Sequence, residues 1–163
     1  MFEIPPLQHW DALHPAISHF PIALLIVAPL FLILCLCLRS HRRTLLAVAL
    51  GLTVAGTLGV YLAAASGDEA KSKAPQTPEV KAALDLHEDL GSTARAVFSG
   101  LTVLLAALAF SPRLLKKPLS ERAVAASVVA LAVLYGCAGL ILLNTAHSGG
   151  LLVHKLGVHA PIR

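Results

Sequence analysis

Residues 14–38, HPAISHFPIALLIVAPLFLILCLCL, decide the fold class of this chain. The stretch contains no Asp, Glu, Lys or Arg, and about 20 apolar residues suffice for a helix to cross the hydrocarbon core of a membrane. The four apolar runs of the chain are Ala16–Leu38, Leu45–Ala65, Thr93–Phe110 and Ala123–Asn144. Lipid offers the backbone no hydrogen-bond partners, so each run is expected to be helical. The sequence predicts an all-α bundle of four transmembrane helices in a single domain.

The composition of the whole chain supports this prediction. Of its 163 residues, 56% are apolar and only 13% are charged, whereas a soluble domain carries about 25% charged residues. The first twelve residues contain no Lys or Arg, so the charged region that opens a signal peptide is missing and the first span is expected to remain in the mature protein. We identify no internal repeat and no phosphate-binding loop.

The helix boundaries follow from the apolar runs and from residues that start or stop helices. Gly67 is expected to end the second helix, and Thr77 followed by Pro78 is expected to start the third. The amphipathic stretch after Pro78 is expected to begin that helix above the membrane. The predicted helices cover residues 14–38, 45–65, 78–110 and 122–147, and residues 148–163 are expected to form a tail along the outer interface.

Lys and Arg residues are distributed unequally between the loops. Seven of them follow the first and third spans: Arg39, Arg42, Arg43, Arg113, Lys116, Lys117 and Arg122. Loops rich in Lys and Arg remain in the cytoplasm, so both termini and the loop at 66–88 are expected outside, in the periplasm for a protein of the bacterial inner membrane. The formal net charge of +4 therefore reflects membrane topology and does not indicate binding to nucleic acid.

The chain contains eight histidines, and four of them fall at similar depths. Counted from the cytoplasmic end of each helix at about 1.5 Å per residue, His14, His87 and His147 lie ~36, ~34 and ~36 Å away, and His19 lies ~28 Å away. Three helices thus bring imidazoles to one level near the outer edge of a core about 30 Å thick. Metal and cofactor sites of bundles are built from facing helices. The remaining outer histidines include His9 and His159, which are expected to be solvated.

The first hypothesis for this cluster is a haem b site. Two imidazoles on different helices would bind the iron axially, with His19 and His87 as the preferred pair and His14 or His147 as substitutes. Arg95, inside the outer leaflet, is a natural partner for a haem propionate, and its side chain could equally reach the nearby interface. Small residues of the second and third spans would leave room for the macrocycle: Gly59, Gly91 and Ala94.

Two alternatives remain open. In one, three or four of the same imidazoles bind copper or zinc directly, drawn from His14, His19, His87 and His147. The small residues would then only allow the helices to pack closely. In the other, the histidines cap helix ends and hydrogen-bond one another or lipid headgroups, and the chain is a structural subunit of a membrane complex without a cofactor.

Three segments resemble a known family. HPAISHFPIALL at 14–25, His87 near the start of the third helix and GGLLVHKLGV at 149–158 are similar to a bacterial family of four-helix membrane proteins catalogued as a domain of unknown function, DUF2231. Its members look like LHPxxVHFPIALL at the start and GGxLVYxxGVGV at the end, and this chain departs from that pattern at His154 and His159. The resemblance covers essentially the whole chain.

The resemblance implies the four-helix fold and places the family histidines at His14, His19 and His87. It implies no agreed activity. Members are associated with cytochrome and Rieske-type electron-transfer modules, which favours haem by association only.

These observations together predict a membrane protein resembling a b-type cytochrome, with haem bound near the periplasmic face and one-electron transfer as its function. The expected partners are membrane lipid, a periplasmic electron-transfer protein and, in a homo-oligomer, a second copy of the chain. No pair of nucleophile and base and no substrate cleft can be identified, so an enzymatic activity is not predicted.

Overall fold

The computed structural model describes residues 13–158 and contains, within that range, four long α-helices and no strand. The helices are α1 (His14–Cys37), α2 (Arg42–Ser72), α3 (Pro78–Leu114) and α4 (Glu121–His154), and one turn of 3-10 helix at Arg39–His41 joins α1 to α2. All four helices are long and apolar enough to cross a membrane. The prediction of an all-α fold with four membrane-spanning helices is confirmed.

Local sequence accounts for the starts of the helices. Pro15 occupies the first turn of α1, where its missing amide hydrogen costs nothing. The Thr77 hydroxyl accepts a hydrogen bond from the backbone amide of Val80 and so caps α3, as Thr77 was predicted to do. The Ser120 hydroxyl caps α4 in the same manner by accepting from the amide of Ala123. Each cap satisfies one of the amide groups that the first turn of a helix leaves free.

Three predicted helix ends were wrong. α2 passes through Gly67 and ends at Ser72, α3 reaches Leu114 instead of residue 110, and α4 runs to His154, so the predicted tail at 148–163 is helical over its first part. The apolar runs define only the part of each helix that lies in lipid. Beyond the run at the end of α2, Lys71 forms ion pairs with Asp85 (3.4 Å) and Glu88 of α3, which join the two helical extensions.

The helices form a ring in the order α1, α2, α3, α4. Each packs against its two neighbours, whereas the diagonal pairs, α1 with α3 and α2 with α4, make no backbone contact in the described range. Adjacent helices are antiparallel, so the bundle has two distinct ends. We call the end with His14, Ser72, Pro78 and His154 the histidine end, and the end with the Arg39–His41 turn and the α3–α4 loop the arginine end.

The two hairpins, α1–α2 and α3–α4, present the same pattern of buried positions. Each buried residue of α1 lies 73 positions before a buried residue of α3, and these pairs are Pro21 with Ala94, Leu25 with Phe98, Ala28 with Leu101, Leu32 with Leu105, and Cys35 with Leu108. Six buried residues of α2 lie 82 positions before buried residues of α4, and these pairs are Leu46 with Val128, Ala49 with Leu131, Thr53 with Tyr135, Gly56 with Ala138, Val60 with Leu142, and Ser66 with Ser148. The bundle therefore consists of two equivalent halves related by an approximate two-fold axis along the bundle.

Equivalent residues of the two halves meet at the centre of the bundle. The hydroxyls of Thr53 and Tyr135 lie 2.9 Å apart across the α2–α4 diagonal, and the ring of Tyr135 packs edge-on against Phe98 at 5.7 Å between centroids. The Thr53 hydroxyl also donates to the Ala49 carbonyl of its own helix. Because that donor is already used, the Tyr135 hydroxyl donates and the Thr53 oxygen accepts.

Replacing Tyr135 with phenylalanine tests this central hydrogen bond. Tyr135→Phe removes one donor and leaves the Thr53 hydroxyl satisfied by Ala49, so no buried polar group becomes unpaired. We expect the free energy of unfolding in detergent to fall by about 1 kcal/mol or less, the usual contribution of one such bond. Thr53→Val should cost more, about 1 to 3 kcal/mol, because it leaves the buried Tyr135 hydroxyl without its acceptor. A loss of several kcal/mol in Tyr135→Phe would contradict the assigned donor and acceptor.

Candidate functional site

His14 of α1 and His87 of α3 meet across the centre of the bundle at its histidine end. Their ring centroids are 6.4 Å apart, and the ring planes are nearly perpendicular, at 87°. Both side chains are half-buried. The two histidines lie 73 positions apart, the same offset that relates the buried positions of α1 and α3. They are therefore equivalent residues of the two halves and face each other about the two-fold axis.

Each imidazole is held through its Nδ1 atom by a serine of the following helix. Nδ1 of His14 lies 2.9 Å from the Ser66 hydroxyl of α2, and Nδ1 of His87 lies 2.9 Å from the Ser148 hydroxyl of α4. Nδ1 of His87 also lies 3.1 Å from the carbonyl oxygen of Thr145. Ser66 and Ser148 are equivalent in the two halves, so the same contact is made twice.

These contacts determine which ring nitrogen carries the hydrogen. A carbonyl oxygen only accepts, so Nδ1 of His87 must donate to Thr145. The Ser66 hydroxyl donates its own hydrogen to the carbonyl of Ala63 at 2.9 Å, so it accepts from Nδ1 of His14. In the neutral rings, Nε2 of both residues therefore keeps its lone pair. A donating Nδ1 and a free Nε2 form the arrangement in which protein imidazoles bind metals.

A glycine lies against each of the two rings. A Cβ atom built on Gly67 would lie 3.1 Å from Cε1 of His14, and one built on Gly149 would lie 2.9 Å from Cε1 of His87. These distances are shorter than ordinary contact, so a side chain at either position would displace the ring. Gly67 and Gly149 directly follow the two serines. Each half of the bundle thus contributes a histidine, a serine that orients it and a glycine that makes room for it.

Comparison with known proteins supports the resemblance noted in the sequence. The family model described as "Predicted membrane protein (DUF2231)" matches residues 10–161, which is nearly the entire chain. The chain belongs to this family. No match was found among curated proteins or among solved structures.

The other two histidines that were predicted for the site of this DUF2231 protein lie apart from the pair. His19 is exposed on the outer surface of α1, and its Nδ1 is hydrogen-bonded to the Pro15 carbonyl of the same helix. His147 is exposed on α4. The structure therefore brings His87 together with His14, the substitute, and does not bring it together with His19, the preferred partner. His9 and His159 lie outside the described residues.

A copper or zinc site with three or four imidazoles is not formed by residues 13–158. In that range no group of three or more His, Cys, Asp or Glu side chains is arranged to hold a metal ion. Counting residues along each helix predicts the depth of a histidine but not how its helix is rotated about its own axis. Of the four histidines, His19 and His147 are exposed on the outside of the bundle.

The small residues predicted to make room for a macrocycle have different surroundings. A Cβ on Gly59 would lie 3.0 Å from Cβ of Pro21, so α1 already fills that space and Gly59 serves helix packing. Ala94 is buried in the core. Gly91 is half-buried, and a Cβ there would meet no atom within 4 Å. Of these three residues, Gly91 alone borders open space.

Arg95, predicted as the contact for a haem propionate, lies against Tyr61 and not beside the histidine pair. Its guanidinium carbon lies 5.8 Å from the centre of the Tyr61 ring on α2, whereas His87 is directed toward α4. Arg95 lies eight residues after His87, which is about 12 Å along the helix toward the arginine end.

Sequence reasoning missed the residues that orient the pair, namely Ser66, Gly67, Ser148 and Gly149. The signal that could have identified them is the repeated Ser-Gly dipeptide at 66–67 and 148–149. The two dipeptides are 82 positions apart, which is the offset between buried residues of α2 and α4. Of the eight histidines, His14 and His87 are the two that are separated by 73 positions, the offset between buried residues of α1 and α3.

Proposed function

We propose that this protein binds haem b between His14 and His87 and transfers single electrons at the histidine end of the bundle. The observation that carries the proposal is the spacing of the two rings, whose centroids are 6.4 Å apart. A metal ion bound to one nitrogen of each ring would hold the two ring centres at most roughly 6 Å apart, with about 2.0 Å for each metal–nitrogen bond and about 1.1 Å from each nitrogen to its ring centre. The free Nε2 atoms and the hydroxyl contacts at Nδ1 suit the same role.

The number of protein ligands favours haem over a bare metal ion. Structural zinc sites take four protein ligands and catalytic zinc sites take three, but only His14 and His87 converge in the described part of the chain. In haem, the porphyrin supplies four nitrogens and the protein supplies only the axial ligands. The backbones of α1 and α3, which carry the two histidines, make no contact with each other.

The position of the pair suits exchange of electrons with a partner outside the membrane. His14 and His87 lie ~36 and ~34 Å along their helices from the arginine end, so the pair would stand roughly 5 Å beyond a hydrocarbon core about 30 Å thick. When bound, the haem iron would supply a one-electron ferric–ferrous couple. The residues of this chain would orient the two ligands and shield them within the helical extensions. With the histidine end in the periplasm of a bacterial inner membrane, its acidic residues would attract a basic electron-transfer protein.

The composition of the purified protein tests the proposal. The full chain is expressed in cells that make haem and purified in mild detergent, and haem b is quantified as its pyridine complex together with total iron, copper and zinc. We expect a Soret band and one haem b per chain. A colourless protein with one copper or zinc per chain would replace haem with a bare ion between the same histidines. A colourless and metal-free protein that also fails to take up added haemin would contradict the proposal.

Gly149→Ala should weaken haem binding with little effect on folding. The new Cβ would stand 2.9 Å from Cε1 of His87, so the ring must rotate away from the bundle axis, while alanine favours the helix by about 1 kcal/mol over glycine. We expect a rise in the haem dissociation constant of about tenfold or more, measured by haemin titration.

Gly150→Ala provides a matched control for this variant. Gly150 is the next residue of the same helix, and a Cβ there would meet no atom within 4 Å. Its haem affinity should equal that of the unmodified protein. Equal affinities of the Gly149→Ala variant and the unmodified protein would show that the position of the His87 ring does not matter for binding.

A further inference from the structure

A band of polar side chains runs along the contact between α2 and α3 inside the membrane-spanning region. Arg95 stacks on Tyr61, and the Tyr61 hydroxyl lies 3.1 Å from that of Ser99. Nearer the arginine end, the hydroxyls of Thr57 and Thr102 lie 2.9 Å apart. Tyr61 is 49% exposed, so the end of this band near Arg95 opens toward lipid.

The other half of the molecule shows that helix packing does not require these polar groups. The equivalent contact, between α4 and α1, is obtained with the same offsets of 82 and 73 positions. In place of Arg95, Tyr61, Ser99, Thr57 and Thr102 it has Ile22, Leu143, Ile26, Gly139 and Pro29. None of these five positions carries a polar side chain, so the polar band is a specific feature of the α2–α3 face.

The charge of Arg95 has no acidic partner within residues 13–158. The other arginines of the described chain lie near the arginine end, at positions 39, 42, 43, 113 and 122. A guanidinium near the edge of the hydrocarbon core is costly unless an anion or water reaches it. Arg95 is half-buried beside an exposed tyrosine, so the open route to its guanidinium for an anion is from the lipid side.

We propose that Arg95 and Tyr61 bind the phosphodiester of an anionic phospholipid in the leaflet at the histidine end. Guanidinium binds phosphate oxygens with two parallel hydrogen bonds, the Tyr61 ring supports its plane from one side, and tyrosine is a common residue at headgroup level. The acyl chains would lie along the apolar surface of α2 below, where Leu58 and Val54 are exposed. This site is separate from the histidine pair and does not depend on haem binding.

Native mass spectrometry of the detergent-purified chain tests this site. The protein is mixed with equal amounts of phosphatidylglycerol and phosphatidylcholine that have the same acyl chains, and the lipids retained per chain are counted. We expect the unmodified protein to retain one more phosphatidylglycerol than Arg95→Gln does, and the affinity of that lipid to fall about fivefold in the variant. Tyr61→Leu should weaken retention in the same direction.

Two controls make the outcome decisive. Lys81→Gln removes a positive charge from the exposed start of the same helix and should leave retention unchanged. Arg95→Ile copies the equivalent residue Ile22, so it should fold normally by circular dichroism while losing the lipid. Equal retention by the unmodified protein and Arg95→Gln would overturn the proposal, and so would an equal loss in Lys81→Gln. Displacement of the lipid by millimolar inorganic phosphate would assign the site to free phosphate and overturn its assignment to a lipid.

Discussion

Replacing His87 with alanine is expected to abolish the Soret band of the purified protein. Within residues 13–158, the imidazole of His87 is one of only two that converge at the bundle axis, and a haem that loses one of its two protein ligands is expected to be bound too weakly to survive purification. His14→Ala should have an equal effect, because the two residues have equivalent surroundings. Added imidazole should restore part of the band in either variant by filling the emptied ligand position.

His19→Ala is the matched control for His14→Ala. The two histidines belong to the same helix, but His19 is exposed and bonded to its own backbone. We expect the spectrum of His19→Ala, and that of His147→Ala, to equal that of the unmodified protein. Loss of the band in His19→Ala together with its retention in His14→Ala would show that the pair was chosen incorrectly.

Gly56→Leu is expected to destabilise the bundle more than any other single change considered. A Cβ on Gly56 would lie 2.6 Å from Cγ and 2.7 Å from Cδ2 of Leu25 on α1. Leu25 is 2% exposed and surrounded by the core, so it has no space into which to move, and α1 must separate from α2. Forced overpacking of this kind costs about 3 kcal/mol or more, measured as the free energy of unfolding in detergent.

Gly51→Leu separates overpacking from the general effect of removing a glycine. Gly51 is an exposed residue of the same helix, and a Cβ there would meet no atom within 4 Å. The substitution should raise helix stability slightly, by about 1 kcal/mol or less. Equal stability of the two leucine variants would contradict the close approach of α1 and α2 at Gly56.

The number and the type of the elements could be predicted because they depend on length and composition alone. Four long apolar runs, of which only the third contains a charged residue (Arg95), predict four spans under the constraints of lipid. The helix ends were harder to predict. α2 continues through Gly67 to Ser72, and the ring of His14 packs against Gly67. That contact joins residues 53 positions apart, and no local pattern reports it.

The ligand pair could not be predicted from depth, because depth says nothing about rotation about the helix axis. His14 and His19 are five residues apart, which turns them about 140° from each other at 100° per residue. The first helix is apolar on every side, so its sequence does not indicate which side faces the core. Packing decides this through Pro21 and Leu25, which are buried against α2.

The correspondence between the buried positions of the two hairpins is not visible in the sequence for a related reason. The offset between equivalent residues is 73 positions for the first helices of the hairpins and 82 for the second, so no single period relates the two halves. The paired residues are rarely identical, and they share burial instead of side-chain type. Only the helix neighbours in the structure show that His14 corresponds to His87.

Electron paramagnetic resonance of the oxidised, detergent-purified protein tests most directly whether His14 and His87 bind the same iron. A ferric haem held by two imidazoles is low-spin, so the unmodified chain should show that signal alone, and His14→Ala should lose it together with the Soret band. A high-spin signal from the unmodified chain, or a low-spin signal that survives in both His14→Ala and His87→Ala, would mean that these two rings do not share a metal.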